Sequence, residues 1–219
     1  MQPDSFKADR ERFDRDAALW DGCPNPHRAA LASACREALA GVIEGFATSP
    51  SLFDYGCGTG AVSLPLAQMC ASITGCDFSE GMLAQFAKNA ASLGLDRVRT
   101  LQLDLSGEAP IPPERYDIAH CGMVMHHIVD IPAFFCRISE VLRHGGTLSL
   151  IDAEPEDGSF HDDNSGVAHY GLNPDQLCQQ LEGMGYDIIH SRRIHTVEKP
   201  RAGQMKPYPI FHIVARMQD

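Results

Sequence analysis

Nothing in this 219-residue sequence supplies a metal or disulfide framework, because its eight cysteines (23, 35, 57, 70, 76, 121, 136 and 178) form no CxxC pair and no tight Cys/His cluster of zinc-ligand spacing. Most of them sit in apolar surroundings, where cysteine behaves as a small buried hydrophobe. An apolar leader is also lacking: Asp4, Lys7, Asp9, Arg10, Glu11 and Arg12 crowd the start, so a reducing cytoplasm is the expected compartment. The uncharged residues 59–76 contain Pro65, Gly75 and too many polar side chains for a membrane span. Positive charge is scarce as well. Lys plus Arg total 18 against 29 Asp plus Glu, for a formal net charge of -11, and no Lys/Arg cluster stands out. That balance opposes long-range attraction to nucleic acid or anionic lipid, which leaves a small molecule as the expected partner.

What is present is enough for one sizeable core, with 44% of residues in the hydrophobic group and no internal repeat or low-complexity tract. Residues 27–46 are alanine-rich, with Leu31, Cys35, Leu39, Val42, Ile43 and Phe46 on a mostly single-sided apolar stripe, and predict a helix. Strand and helix patterns then alternate. Strands are expected at 51–55, 71–76, 98–103, 116–121 and 147–151, and helices at 61–69, 79–93 and 132–142. A helix at 173–184 and terminal strands at 186–192 and 209–216 follow, with 199–207 as an exposed connection. Such alternation favours an α/β fold, a doubly wound and mainly parallel sheet covered on both faces, with ligands at the carboxyl-terminal rim of its strands.

The sharpest signal lies at the first strand-to-helix junction, Asp54-Tyr55-Gly56-Cys57-Gly58-Thr59-Gly60. Glycines at 56, 58 and 60 allow a tight bend and close approach of a ligand to backbone N–H groups. The segment lacks the GKS/T ending of a nucleotide P-loop, and its third glycine comes one position too early for the dinucleotide fingerprint. Asp77 ends the next expected strand. Alone it reads equally as a capping acid or as an acceptor for two vicinal ribose hydroxyls; with the glycine bend beside it, the ribose role is favoured. Phe78, Ser79 and Met82 open the following helix, within reach of an adenosine.

These segments resemble the class I S-adenosylmethionine-dependent methyltransferase family, especially its small-molecule members. The resemblance continues through Leu103-Asp104-Leu105, Tyr116-Asp117-Ile118, Met125-His126-His127-Ile128 and Gly145-Gly146-Thr147-Leu148, and covers roughly residues 27–219. It implies a Rossmann-like sheet of seven strands whose last strand is antiparallel. It also implies S-adenosyl-L-methionine as cofactor: Gly56, Cys57, Gly58 and Gly60 around its amino acid and ribose end, Asp54 at its amino group and Asp77 on its ribose. Phe78 and Met82 would flank the adenine, Asp104 would bind its exocyclic amine with Leu105 giving a backbone contact, and Cys121 would lie near the methionine portion. Residues 1–26 are expected to form an arm or lid, with Trp20 over the cofactor, and 27–219 the binding domain with a cover insertion at 153–170.

Methyl transfer needs an oriented nucleophile and a dry site more than a dedicated base. Candidate acceptors of a substrate proton are His126 and His127 at the sheet rim, where either also fits a structural role. Asp152, at the end of the fifth strand, is placed to orient His126, His161 or a polar substrate. His161, His169 and Tyr170 belong to a polar segment that reads as a lid or as a solvated acidic loop; no metal signature joins them. The expected activity is methyl transfer to a small-molecule acceptor. A nicotinamide-dependent oxidoreductase and a non-catalytic cofactor-binding or partner-binding domain are the competing readings, and monomer and homodimer both remain open.

Overall fold

A computed structural model describes residues 3–22 and 26–218, so Cys23 and the end of the expected arm at 23–25 lie outside the described residues. Seven strands form one sheet: β1 (Ser51–Tyr55), β2 (Ser72–Asp77), β3 (Val98–Gln102), β4 (Tyr116–Gly122), β5 (Leu142–Ala153), β6 (Tyr186–Arg201) and β7 (Gln204–Met217). Their spatial order is β3-β2-β1-β4-β5-β7-β6. The first five run parallel, while β7 lies antiparallel between β5 and β6, pairing Leu150 with Ile213. This is the expected mixed, doubly wound arrangement. Strand order reverses at β1, whose neighbours are β2 and β4, so the loops leaving β1 and β4 part in opposite directions and open a crevice at their carboxyl ends.

Both faces of the sheet are covered, which is why β1 is buried along its whole length instead of alternating. On one face Phe53, Tyr55 and Cys121 pack with Phe134, Phe135 and Ile138 of α4 (Ile131–Ser139) and with Leu177 and Leu181 of α5 (Pro174–Gly183). On the other, Leu52, Ile73 and Ile118 pack with Leu39 and Ile43 of α2 (Pro26–Glu44) and with Leu83 and Phe86 of α3 (Glu80–Ser92). Among the described residues no helix is long and apolar enough to cross a membrane.

Three local expectations are revised. The segment 61–69 is a turn followed by a 3-10 stretch, Leu64–Met69, instead of an α-helix. The rise of about 2.0 Å per residue in that conformation buries Leu64 and Leu66 and still delivers the chain to β2 within a few residues. Strand β5 starts at Leu142 and carries a register shift opposite Tyr116–Ile118, so Gly145 and Gly146 bend the strand without stopping it. Residues 199–207 are a hairpin tip, not an open connection: Lys199 pairs with Lys206 and Arg201 with Gln204 around a two-residue turn. Ala202 and Gly203 both adopt positive φ there, the geometry that matches strand twist. Pro200, Pro207 and Pro209 are tolerated because this ribbon projects past the sheet, where missing N–H donors leave no ladder partner unpaired.

Residues Pro3–Trp20 form an α-helix, α1, that docks on α3. Asp14 accepts hydrogen bonds from the Ser79 hydroxyl (2.6 Å) and the Gly81 N–H (2.9 Å), satisfying the start of α3 from another element. Just beyond α1, Asp21 accepts from the Thr59 hydroxyl (2.6 Å) and the Asn89 amide (2.8 Å). Two acids therefore tie the N-terminal segment to the glycine loop and to α3.

Candidate active site

The loops leaving β1, β2 and β4 surround a cavity of about 700 Å³, roofed by α1 and by the insertion after β5. Its floor is the glycine bend. Gly56 has φ +69 and a Cβ there would lie 2.2 Å from a Val124 methyl, so no other residue fits without moving the β4 loop. At Gly58, φ +52, a Cβ would meet nothing within 4 Å, which leaves backbone facing open space. Beside it, Asp77 accepts from the Gly58 N–H (3.0 Å) through one oxygen and from the Ser79 N–H (2.9 Å) through the other. Burial raises the pKa of Asp77; the Ser79 and Gly58 N–H groups oppose the shift, while Asp14 adds like-charge repulsion. A carboxylate with two oxygens anchored and lone pairs left toward a cavity is built to accept hydroxyl donors.

Asp54 lies deeper, buried beneath the same bend. Burial pushes its pKa up to about 7; the adjacent Ser63 hydroxyl lowers it, without reaching hydrogen-bond geometry, and Asp77 raises it. A cationic amine arriving above Asp54 would restore its ionised form and give the orphaned hydroxyl a polar neighbour. Gly58 and Asp77 line the cavity and fit the adenosyl donor that the sequence resemblance implies, whereas Asp54 and Ser63 are buried behind the lining. Since ionising Asp54 in the complex requires loss of its proton, donor affinity is expected to rise by up to ~tenfold per pH unit toward pH 7 and then level off. Titration calorimetry from pH 5.5 to 7.5 measures this. An Asp54→Asn variant should give a flat profile over that range, below the ordinary pKa of about 7.7–8.0 of an α-amine.

The opposite wall carries the histidines. His126 and His127 sit in a 3-10 turn, Met125–His127, after β4. His126 is 4% exposed; its Nδ1 lies 2.8 Å from Asp152 Oδ1, and its backbone N–H donates to Asp152 Oδ2 at 3.1 Å. Burial alone would raise the Asp152 carboxyl, but the His126 charge and hydrogen bonds, with the Ala153 N–H, hold it below the usual range. In a neutral ring, a carboxylate on Nδ1 favours the tautomer with the proton there and leaves the lone pair on Nε2. His161 from the insertion packs on His126, with ring centroids 4.9 Å apart. Burial lowers both His127 and His161 to about 4, with repulsion from His126 next in importance. Both rings are therefore neutral near pH 7.

The remaining sequence-named residues divide by position. Trp20, Cys57, Phe78 and Met82 line the cavity with Gly56, Gly58 and Asp77, and Ser79 lies just behind as the α3 cap, accepting from Met82 N–H. Gly60 turns the chain toward Leu64 beneath the cavity wall, and Cys121 is fully buried one residue before the lining begins at Gly122. Asp104 and Leu105 are outside the lining. Asp104 holds the Ser106 N–H (2.8 Å) and hydroxyl (2.6 Å), and the Leu105 N–H donates to the Tyr55 hydroxyl (3.2 Å). His169 and Tyr170 also lie away from the cavity. His169 meets the Ile128 carbonyl (2.8 Å) and its N–H donates to the His126 carbonyl (3.0 Å), so it ties the insertion to the histidine turn; Tyr170 packs over Gly158.

Several lining residues carried no sequence signal. Phe13 bridges Phe78 and His127 with centroids 5.7 and 5.8 Å away, and Arg12 pairs with Asp163 at 3.8 Å, joining arm to insertion. Met123 holds φ 58 at the rim, a left-handed turn that aims the backbone after β4. Phe160, Val197 and Lys199 enter from the insertion and from β6. Which of these residues reach the cavity depends on which distant segments meet.

Comparison with known proteins gives three findings. A family model described as a methyltransferase domain matches residues 52–146. Among curated proteins, an uncharacterized methyltransferase of Schizosaccharomyces pombe is 30% identical over 135 residues, covering 55% of this chain and 47% of that protein. A ubiquinone biosynthesis O-methyltransferase of Leptothrix cholodnii is 27% identical over 154 residues, covering 64% and 66%. The chain thus spans about half to two thirds of the length of these two relatives. Among solved structures, the DhpI–SAH complex superposes with TM-score 0.71 at 20% identity, covering 95% of each chain. The magnesium protoporphyrin IX methyltransferase of Synechocystis PCC 6803 with bound SAM gives 0.65 at 19% identity, over 97% of this chain and 91% of that one.

Proposed function

The chain belongs to the class I S-adenosylmethionine-dependent methyltransferase family, and from that premise we propose that it transfers a methyl group from S-adenosylmethionine to a hydroxyl of a small molecule, with His126 as proton acceptor. The observation that carries this reading is the meeting, around one cavity, of the Gly58–Asp77 cradle and a buried His126–Asp152 pair.

When bound, the donor supplies an electrophilic sulfonium methyl. The work left to the chain is to bind, orient and dry the site. Asp77 grips the ribose hydroxyls, Asp54 the amino group, and Phe78 and Met82 flank the base. The segment Gly122–Val124 shapes the space at the rim between the two ends of the cavity. His126 Nε2 then takes the hydroxyl proton as the oxygen becomes the nucleophile, and Asp152 stabilises the resulting imidazolium through Nδ1. Neutral His127 and His161 add hydrogen-bonding capacity without competing positive charge. Phe13, Trp20 and the insertion exclude water, which strengthens every charge interaction inside.

A small acceptor, distinct from nucleic acid or membrane, is part of the same proposal, supported by the net charge of -11, and so is a cytoplasmic setting, for which the scattered cysteines are the support. Calorimetry with S-adenosylmethionine and its demethylated product tests the cofactor, with NAD as competitor. A mass-detected screen of phenols and other alcohols then tests transfer. Micromolar binding of both forms, unaffected by NAD, and a 14-dalton gain on a hydroxylated acceptor are expected. A folded protein that binds neither form ends this reading.

A further inference from the structure

Three buried polar side chains on the α2 face of the sheet take no part in the reaction described above. His120 on β4 is 1% exposed, and its Nδ1 lies 3.1 Å from the Ser149 hydroxyl of β5. That hydroxyl lies 3.0 Å from His212 Nε2 on β7, and His212 Nδ1 lies 3.3 Å from Nε2 of the half-buried His190 on the edge strand β6. The chain of side chains thus crosses four strands. At its inner end one atom is left over, because His120 Nε2 is buried without a hydrogen-bond partner. Its direction is shown by Gly122, two residues further along the same strand face. A Cβ there would lie 2.8 Å from Nε2 and 3.4 and 3.7 Å from the flanking ring carbons, so the ring presents Nε2 to the place where a side chain at 122 would stand. Gly122 is itself part of the cavity wall.

The neighbour of this nitrogen along the sheet is Asp54. His120 and Asp54 are register partners on adjacent parallel strands, each two residues beyond Ile118 and Leu52, which pack on the α2 face, so both side chains stand on that face at the same level. Burial lowers His120 to about 4 and His212 to about 3, with repulsion from His120 and His190 adding to the shift at His212. Burial, and then Arg192, also lower His190. Neutral rings with one N–H each, joined by a hydroxyl with one hydrogen, can be ordered in only two ways. In the first, His190 donates to His212, His212 to Ser149 and Ser149 to His120 Nδ1, which leaves the His120 proton on Nε2. In the second every bond is reversed and Nε2 carries a lone pair. An anion at Gly122 selects the first.

We propose that His120 binds the carboxylate of S-adenosylmethionine through Nε2–H at Gly122, beside the amino group held by Asp54, and that Ser149, His212 and His190 are positioning residues that hold the ring in this tautomer. This inference rests on the methyl-transfer reading, since it takes that cofactor as the ligand. The chemistry matches an α-amino acid head, which is a zwitterion: a carboxyl for the ammonium and an N–H for the carboxylate, at one level of adjacent strands. Because the ring is neutral, it adds a hydrogen bond without placing a buried cation beside the ammonium. Gly122 is then required as well. Any side chain there would displace the ring or close the path from Nε2 to the cavity.

The test uses the full chain and two ligands, S-adenosylhomocysteine and its decarboxylated analogue, which keeps the amine. Binding is read by calorimetry. His120→Asn keeps an amide at the place of Nδ1 for Ser149 and removes Nε2; it should lose about tenfold in affinity for S-adenosylhomocysteine, the difference typical of one hydrogen bond to a charged group, and nothing for the decarboxylated analogue. His120→Gln, whose amide reaches the place of Nε2, should recover most of that loss. Equal losses for the two ligands would make His120 a structural residue and overturn the proposal, as would unchanged affinity for both. A second measurement needs no variant: nitrogen-15 NMR of the unaltered protein saturated with S-adenosylhomocysteine should show His120 as the Nε2–H tautomer, and the Nδ1–H tautomer overturns the proposal. An unaltered protein that binds neither ligand would instead sink the methyltransferase reading, so the two failures are distinct.

Discussion

Replacing Asp77 by alanine is expected to weaken S-adenosylmethionine binding by ~1–3 kcal/mol, roughly 5- to 150-fold, while leaving the fold intact. The loss has two sources. The ribose hydroxyls would lose a charged acceptor, and the Gly58 N–H, now held by Asp77 Oδ2 at 3.0 Å, would lose the partner that fixes the bend. Stability should change little, because the start of α3 keeps its other acceptors: Ser79 Oγ for Met82 and Asp14 for Gly81. Asp77→Asn is expected to fare nearly as badly. Its single oxygen can serve the Gly58 or the Ser79 N–H, and the amide group then faces the other donor with a donor. Calorimetry paired with thermal unfolding separates the two effects, and an alanine variant that binds like the unaltered chain would remove Asp77 from the site.

The second large effect is on turnover. His126→Asn should lower it by ~10²–10⁴, the usual contribution of a positioned general base, with cofactor affinity retained. Asparagine is the informative replacement because its amide can still donate to Asp152. Alanine would strand a fully buried carboxylate, at a cost of about 3–5 kcal/mol, and confuse folding with chemistry. Asp152→Asn should reduce turnover comparably, because an amide oxygen or nitrogen no longer fixes the proton on Nδ1 and Nε2 loses its lone pair in part of the population. The double variant should be little worse than either single one, since the two groups act as a unit. Unchanged turnover in His126→Asn would mean that positioning alone drives the reaction.

A shared feature of both predictions is that each side chain acts through a second one held from elsewhere in the chain. Asp77 is aligned by a loop 19 residues earlier and His126 by a strand end 26 residues later. The donor and acceptor halves of the cavity are also joined only across elements: Phe13 touches Phe78 on one side and His127 on the other, and Arg12 meets Asp163. The N-terminal helix is thereby part of the pocket wall, although its anchors, Asp14 and Asp21, are single acids in a charged segment with no motif around them.

The sequence by itself determined the alternation of strands and helices, the glycine bend and the acid at the end of β2. Apolar runs between turn residues encode buried strands, and glycine adopts the positive φ at 56, 58 and 60 at least cost. Those are constraints local to a few residues, and they can be seen without the rest of the chain. Tertiary structure alone decided which histidine is oriented, because adjacent His126 and His127 differ only in that Asp152 reaches the first and the Gly166 carbonyl the second. It likewise separated Asp104, Leu105, His169 and Tyr170 from the cavity and brought Lys199 into its lining. Side-chain direction at a rim depends on packing between segments far apart in the chain, and spacing along the chain carries no record of it.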